Sequence, residues 1–186
     1  PKRFLEKFCI YSKKFEIKNT IWVHSSSVGE ILSVIPIIKK LEKNNKIKKI
    51  LVTTSTTSSS LVLSKYKFKK TIHKFFPIDT NYFSNKFIKI WKPKLAIFVE
   101  SEIWPNMYKN LYKKKIPVIL LNARITKKSF SRWNNFPNFA KNTFKKIYLA
   151  MPQNLETFNF LKKFGVKNIK VSGNLKYFGE KKKYKD

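Results

Sequence analysis

Acidic side chains are scarce in this chain of 186 residues: 10 Asp and Glu stand against 41 Lys and Arg, a formal net charge of +31. Cysteine is almost missing, and the single Cys9 cannot form an internal disulfide, which suits a reducing compartment. His24 and His73 stand alone, so no metal-ligand spacing is present. No run approaches the roughly 18 consecutive apolar residues of a membrane-spanning helix; the best, 31–38, contains Ser33 and Pro36. Linkers rich in Gly, Ser or Pro and internal repeats are also lacking, and the length fits one domain. Arginine is limited to Arg3, Arg124 and Arg132, the other basic residues being Lys.

What is present is apolar. Hydrophobic residues make up 42% of the chain and aromatics 16%, which excludes a disordered basic tail. A chain of this size buries about 70% of its unfolded surface. The lysines cluster with Asn, Ile and Phe, the pattern of a compositionally biased genome, so much of the charge is background. It still attracts anions, whether nucleic acid, anionic lipid or a phosphorylated sugar. From charge and aromatics alone, a basic nucleic-acid-binding α/β domain is a standing alternative.

Short β-branched or aromatic runs alternate with segments of helical period. Strands are predicted over 21–24, 50–53, 74–76, 95–99, 118–121, 147–150 and 169–171, and helices over 28–44, 58–66, 81–91, 105–114, 136–145 and 153–164. Such alternation requires crossover connections, hence an α/β fold with a parallel sheet covered by helices on both faces. Open sheets of this kind bind ligands outside the carboxyl ends of their strands. Polar residues gather there: His24 to Ser27, Thr53 to Ser60, Asp79, Glu100 to Glu102, Asn122 to Arg124, and Gly173 to Lys176. Several of the scarce carboxylates lie on this one edge, so Glu30, Asp79, Glu100 and Glu102 are better candidates for chemistry than any lysine.

Ser27-Val28-Gly29-Glu30 reads as a capping box. It reads equally as a ligand site, in which Gly29 permits close approach and the helix amino terminus keeps Glu30 ionised as a general base. Glu100-Ser101-Glu102-Ile103-Trp104-Pro105-Asn106 holds two carboxylates and an indole in a tight turn before a helix that Pro105 opens. Arg124 suits a bidentate contact to phosphate or carboxylate, or else an ordinary surface ion pair. The hydroxyls from Thr53 to Ser60 suit phosphate or sugar oxygens, or a plain loop.

In this order, the segments resemble the amino-terminal half of the lipid A-specific 3-deoxy-D-manno-octulosonic acid (Kdo) transferases of Gram-negative bacteria. The matching pieces are Trp22-Val23-His24, Ser27-Val28-Gly29-Glu30, Val52-Thr53-Thr54, Pro77-Ile78-Asp79, Glu100-Ser101-Glu102-Ile103-Trp104-Pro105-Asn106, Asn122-Ala123-Arg124 and Gly173-Asn174-Leu175-Lys176. The resemblance implies the Rossmann-like amino-terminal half of a B-type (GT-B) glycosyltransferase. Its activity would be transfer of Kdo from CMP-Kdo to the lipid A precursor lipid IVA in lipopolysaccharide synthesis, with inversion and without bound metal or cofactor. Glu30 matches the family's catalytic base and Glu100 a further acidic position. Ser27, Gly29, Thr53, Thr54, Glu102, Trp104, Asn106, Asn122, Arg124 and Lys176 are the implied acceptor-binding residues. The chain departs from the family in the turn 55–58, which lacks Pro and Gly, and at Lys128 and Phe178. A related half with a different acceptor is the third reading.

Three units are expected: a basic amphipathic segment over 1–18, an acceptor-binding domain over 19–178, and a basic tail or linker over 179–186. The start at Pro1 suggests a trimmed terminus, and the end at Asp186 a missing donor half, so the chain alone should not turn over. Phe4, Leu5, Phe8 and Tyr11 fall on one helical face that suits an anionic membrane surface or the domain itself. Lys127 to Lys146, with Phe130, Trp133, Phe136, Phe139 and Phe144, is a second basic-aromatic stretch. Together they suggest a peripheral place on the cytoplasmic face of the inner membrane.

Overall fold

The computed structural model describes residues 3–12 and 19–175. Six parallel strands form one sheet in the order β3-β2-β1-β4-β5-β6: β1 (Thr20–His24), β2 (Ile50–Thr54), β3 (Thr71–Phe75), β4 (Pro93–Val99), β5 (Val118–Ala123) and β6 (Leu149–Pro152). Chain order runs outward in both directions from β1 and β4, and the reversal opens a crevice above their carboxyl ends.

The central strands β1, β2, β4 and β5 are largely apolar because both faces are covered, whereas the edge strand β3 is only partly buried. Alternate side chains go to opposite layers. Trp22, Leu51, Ala96, Phe98 and Leu120 pack with α3 (Asn81–Trp91), α4 (Pro105–Lys113), α6 (Pro137–Phe144) and α7 (Leu155–Lys163). Val23, Ile50, Val52, Ile97, Val99 and Leu121 pack with α1 (Val28–Lys43) and α2 (Thr57–Ser64). In α1 the buried residues Ile31, Val34, Ile35 and Ile38 recur at the helical period.

Several boundaries differ from the sequence reading. The segment 169–171 is no strand: Ile169 makes one bridge to Ala150, and Gly173, at φ +72, turns the chain away. β3 begins at Thr71, since β2 offers it a register from Ile50 onward. An additional helix, α5 (Lys127–Asn134), precedes α6, started by the Thr126 side chain accepting from the Ser129 N–H. It buries no residue fully, which is why its pattern is faint; Phe130 leans on Phe160 at 4.1 Å between ring centres.

Residues 3–12 pack on the domain. Phe4–Phe8 is a single 3-10 turn whose buried Glu6 accepts from the Phe75 N–H and from Lys74 Nζ, both at 3.0 Å. Phe8 meets Phe83 edge-on, while Phe4 and Leu5 stay half exposed. Of the segment expected over 1–18, residues 1–2 and 13–18 lie outside the described residues, as does all of the tail 179–186.

Asp79 was a candidate for chemistry, and the structure gives it a different task. Its carboxylate accepts from the N–H groups of Asn106 at 3.1 Å and Met107 at 2.8 Å, and its carbonyl accepts from Asn106 Nδ2 at 2.8 Å. Trp104, the residue before α4, makes no side-chain cap, so Asp79 satisfies the helix start from another loop. This clamp holds the turn that carries Glu100 and Glu102. Asp79→Ala should lower the unfolding free energy by about 2 kcal/mol, read as an earlier urea midpoint; an unchanged midpoint would show the clamp to be dispensable.

Candidate active site

The site forms where the β1–α1 and β4–α4 turns meet. Ser27 ends its extended backbone as the cap of α1, accepting from the Glu30 N–H at 3.2 Å, and its hydroxyl donates to Glu30 Oε1 at 3.0 Å. The other carboxylate oxygen takes the Ser26 N–H at 2.8 Å. The capping-box reading therefore holds, with the reciprocal bond made one residue earlier than the usual form. Glu30 is only 8% exposed. Burial pushes its carboxyl above the ordinary range, and the charges of Glu102 and Glu100 add to this, against the two hydrogen bonds that favour ionisation. Burial thus outweighs the helix amino terminus in setting the direction of this shift.

Glu102 has the opposite balance. Burial opposes its charge, but His24 Nε2 donates at 3.0 Å and Trp104 Nε1 at 2.9 Å to the same oxygen, and its carboxyl is held below the ordinary range. His24 is wholly buried at the end of β1, its ring stacked on Phe76 at 3.9 Å. Trp104 also packs on Phe76, at 4.9 Å.

β4 and β5 end alike, with Glu100 at φ +56 and Asn122 at φ +53, both buried. Side chains other than Gly rarely adopt this conformation, which clusters at functional sites. Asn122 Nδ2 lies 3.5 Å from Glu100 Oε1, and Asn122 Oδ1 accepts from the Leu175 N–H at 3.0 Å. Asn122 thus latches the 173–175 segment to the edge. Arg124 gives its N–H to the Glu100 carbonyl at 3.3 Å and is itself exposed.

The family model for 3-deoxy-D-manno-octulosonic-acid transferase (kdotransferase) matches residues 2–178. The chain belongs to that family. It is 36% identical to the 3-deoxy-D-manno-octulosonic acid transferase of Rickettsia felis over 88% of its own length and 35% of the relative's. With the Rickettsia bellii transferase it shares 33% over 97% and 43%. The chain therefore spans well under half the length of these relatives. Among solved structures it is similar to a UDP-GlcNAc 2-epimerase from Neisseria meningitidis, with TM-score 0.60, 16% identity and coverage of 84% of this chain and 47% of that one. The fold is the Rossmann-like amino-terminal half of the GT-B architecture.

Within this Kdo transferase domain, Glu30, Ser27, Glu102 and Trp104 come together, with Glu100 and Asn122 beside them. Gly29 and Ser27 are exposed at the start of α1. Thr53 and Thr54 are wholly buried and face inward: Thr53 Oγ1 accepts from Trp22 Nε1 at 2.9 Å, and Thr54 Oγ1 donates to the Thr56 carbonyl at 3.2 Å and meets His73 Nε2 at 2.9 Å. They support the edge instead of offering hydroxyls to a ligand. Burial, with Arg3 beside it, pushes the His73 imidazole down to about 4, so it is neutral near pH 7. Asn106 is occupied by Asp79, and Lys176 lies outside the described residues. Among the described residues no group of three His, Cys, Asp or Glu side chains is placed to hold a metal.

Two contributors were given no role of their own in the sequence reading beyond the polar run at the end of β1: His24, set aside there as a metal ligand, and Ser26, whose carbonyl accepts from Ser59 Oγ at 2.9 Å and whose hydroxyl donates to Ser55 at 2.7 Å. The signals for His24 were its place at a strand end and in the piece Trp22-Val23-His24.

Because the folded carboxyl of Glu30 titrates above its unfolded value, taken as 4.5, ionising it opposes folding, and the penalty vanishes below the unfolded pKa. Glu30→Gln should therefore melt no lower than wild type near pH 7, with any advantage shrinking as the pH falls towards 4.5 and gone below it. Melting curves across that range check it; a wild type clearly more stable at neutral pH would contradict it.

Proposed function

We propose that the chain is the acceptor-binding half of an enzyme that transfers Kdo from CMP-Kdo to a glucosamine hydroxyl of a lipid A precursor, lipid IVA, in lipopolysaccharide synthesis. The observation that carries the reading is Glu30, a buried carboxylate with an upward-shifted pKa at the sheet's reversal point, in a chain of this family. A base with a raised pKa is better matched to taking a proton near neutrality than an ordinary carboxylate. Glu30 removes the hydroxyl proton as the oxygen bonds to the anomeric carbon of Kdo, the bond to the CMP phosphate breaks on the far side, and the configuration inverts. Positive charge develops on the sugar in that transition state, and the Glu100 carboxylate is placed to stabilise it. Arg124 and nearby lysines serve the acceptor phosphates. CMP-Kdo itself is bound by the half of the enzyme that lies beyond the matched third of the relatives.

A lipid acceptor calls for a membrane-facing surface. A groove of about 430 Å³ runs between α4 and α6 from Asn106, beside the site, to Tyr112 and Lys146. It opens into a broader one of about 940 Å³ bordered by Tyr148 and several lysines. Phe139, Tyr112 and Tyr148 are more than half exposed along this path, and so is Phe136, which shares an adjoining groove with Phe139. Aromatic rings with lysines around them suit an anionic bilayer surface, so this face supports peripheral association with the cytoplasmic side of the inner membrane. No helix among the described residues is long and apolar enough to cross a membrane.

Two outcomes are expected. In the whole enzyme supplied with CMP-Kdo and lipid IVA, Glu30→Gln should reduce transfer by about 10³-fold or more, followed by mass measurement of the lipid; substantial residual turnover would remove Glu30 as the base. The 186-residue chain should sediment with anionic vesicles and far less with neutral ones. The pair Phe136→Ser and Phe139→Ser should weaken anionic binding about tenfold, and equal binding to both vesicle types would sink the assignment of this face.

A further inference from the structure

The buried end of β1 carries a hydrogen-bonded chain that the transfer chemistry above leaves without a role. Trp22 Nε1–H donates to Thr53 Oγ1 at 2.9 Å, so the single hydrogen of that hydroxyl is available to His24 Nδ1, 3.0 Å away. Nδ1 is then an acceptor, and the ring proton sits on Nε2, which donates to Glu102 Oε2 at 3.0 Å. The imidazole cannot turn away from this duty: it is wholly buried, stacked on Phe76 and met edge-on by Phe98 at 5.6 Å. Ser26 lies between the two carboxylates, its N–H held by Glu30 and its hydroxyl beside Glu102.

We propose that His24 and Glu102 act together as positioning residues for Glu30: His24 fixes Glu102 as an ionised carboxylate in the same turn cluster, and that standing charge keeps Glu30 ready to accept a proton. The inference rests on Glu30 being the base. The groups that bear on Glu30 are Glu102 and Glu100 from the β4–α4 turn, Ser26 and Ser27 from its own turn, and, behind Ser26, the hydroxyls of Ser55, Thr56 and Ser59 at the start of α2. Without a donor on Glu102, the neighbouring carboxylates compete for one proton, and Glu102 takes it first. The charge that tunes Glu30 is then lost. The opposite directions in which the Glu30 and Glu102 carboxyls are displaced agree with this arrangement.

The test is a pH titration of the Glu side-chain carboxyl carbons by NMR in the 186-residue chain. In His24→Leu the Glu102 midpoint should rise and the Glu30 midpoint fall, whereas His24→Gln, whose amide can still donate to Glu102, should return both towards wild type. Glu102→Gln removes the charge and leaves the His24 cage packed. It should lower the Glu30 midpoint by itself, and it keeps the proposal testable where His24→Leu does not fold. A Glu30 midpoint that stays in place in Glu102→Gln, or in a folded His24→Leu, overturns the proposal. A purely structural His24 would change the melting temperature and leave the midpoint where it was. The titration needs no turnover, so its result is separate from the transfer assay of Glu30→Gln.

Discussion

β1 and β4 lie side by side with His24 opposite Phe98, and the site depends on that pairing. It brings the turn after β1, which carries Ser26, Ser27 and Glu30, against the turn after β4, which carries Glu100, Glu102 and Trp104. His24 and Glu102 are 78 residues apart in the chain and 3.0 Å apart in space. Parallel pairing of strands that are not neighbours in sequence is possible because the intervening β2, β3 and their helices all lie to one side.

Six of the carboxylates among the described residues fall into two groups. Glu6, Glu42 and Asp79 each accept from backbone N–H groups of another segment: Glu6 from Phe75, Glu42 from Lys69 and Lys70, and Asp79 from Asn106 and Met107. They fasten the edge strand β3 and the start of α4. Glu30, Glu100 and Glu102 instead gather at the ends of β1 and β4, where burial opposes the charge of Glu30 and hydrogen bonds from His24 and Trp104 favour that of Glu102. The lysine excess explains neither group. It supplies a general attraction to anions, concentrated usefully along the α4–α6 groove.

Most of the fold was legible in the sequence. Six of the seven predicted strands are present, because a strand buried on both faces reads as a short continuous apolar run. The seventh, 169–171, has similar residues but only one bridge to the edge of β6, and nothing local separates a paired run from an unpaired one. The helix α5 escaped because its apolar residues pack at the margin of the core, so its period is weak. At the site, the box formed by Ser27 and Glu30 was readable from spacing, as was the turn from Glu100 to Trp104. Asp79 was misjudged since its partners, the N–H groups of Asn106 and Met107, are far along the chain. Thr53 and Thr54 were read as ligand hydroxyls because residue type does not say which way a side chain faces at the last turn of a strand.

The sequence by itself determined the α/β class, the parallel sheet, the edge on which polar residues gather and the family to which the chain belongs. These follow from local properties: periodicity, capping and motifs a few residues long. Only the tertiary structure decided which carboxylate is displaced upward and which downward, that His24 bonds Glu102, and that Asp79 is engaged by the start of α4. Those outcomes depend on burial and on hydrogen-bond partners from distant segments, and both come into existence only when β1 and β4 are placed together.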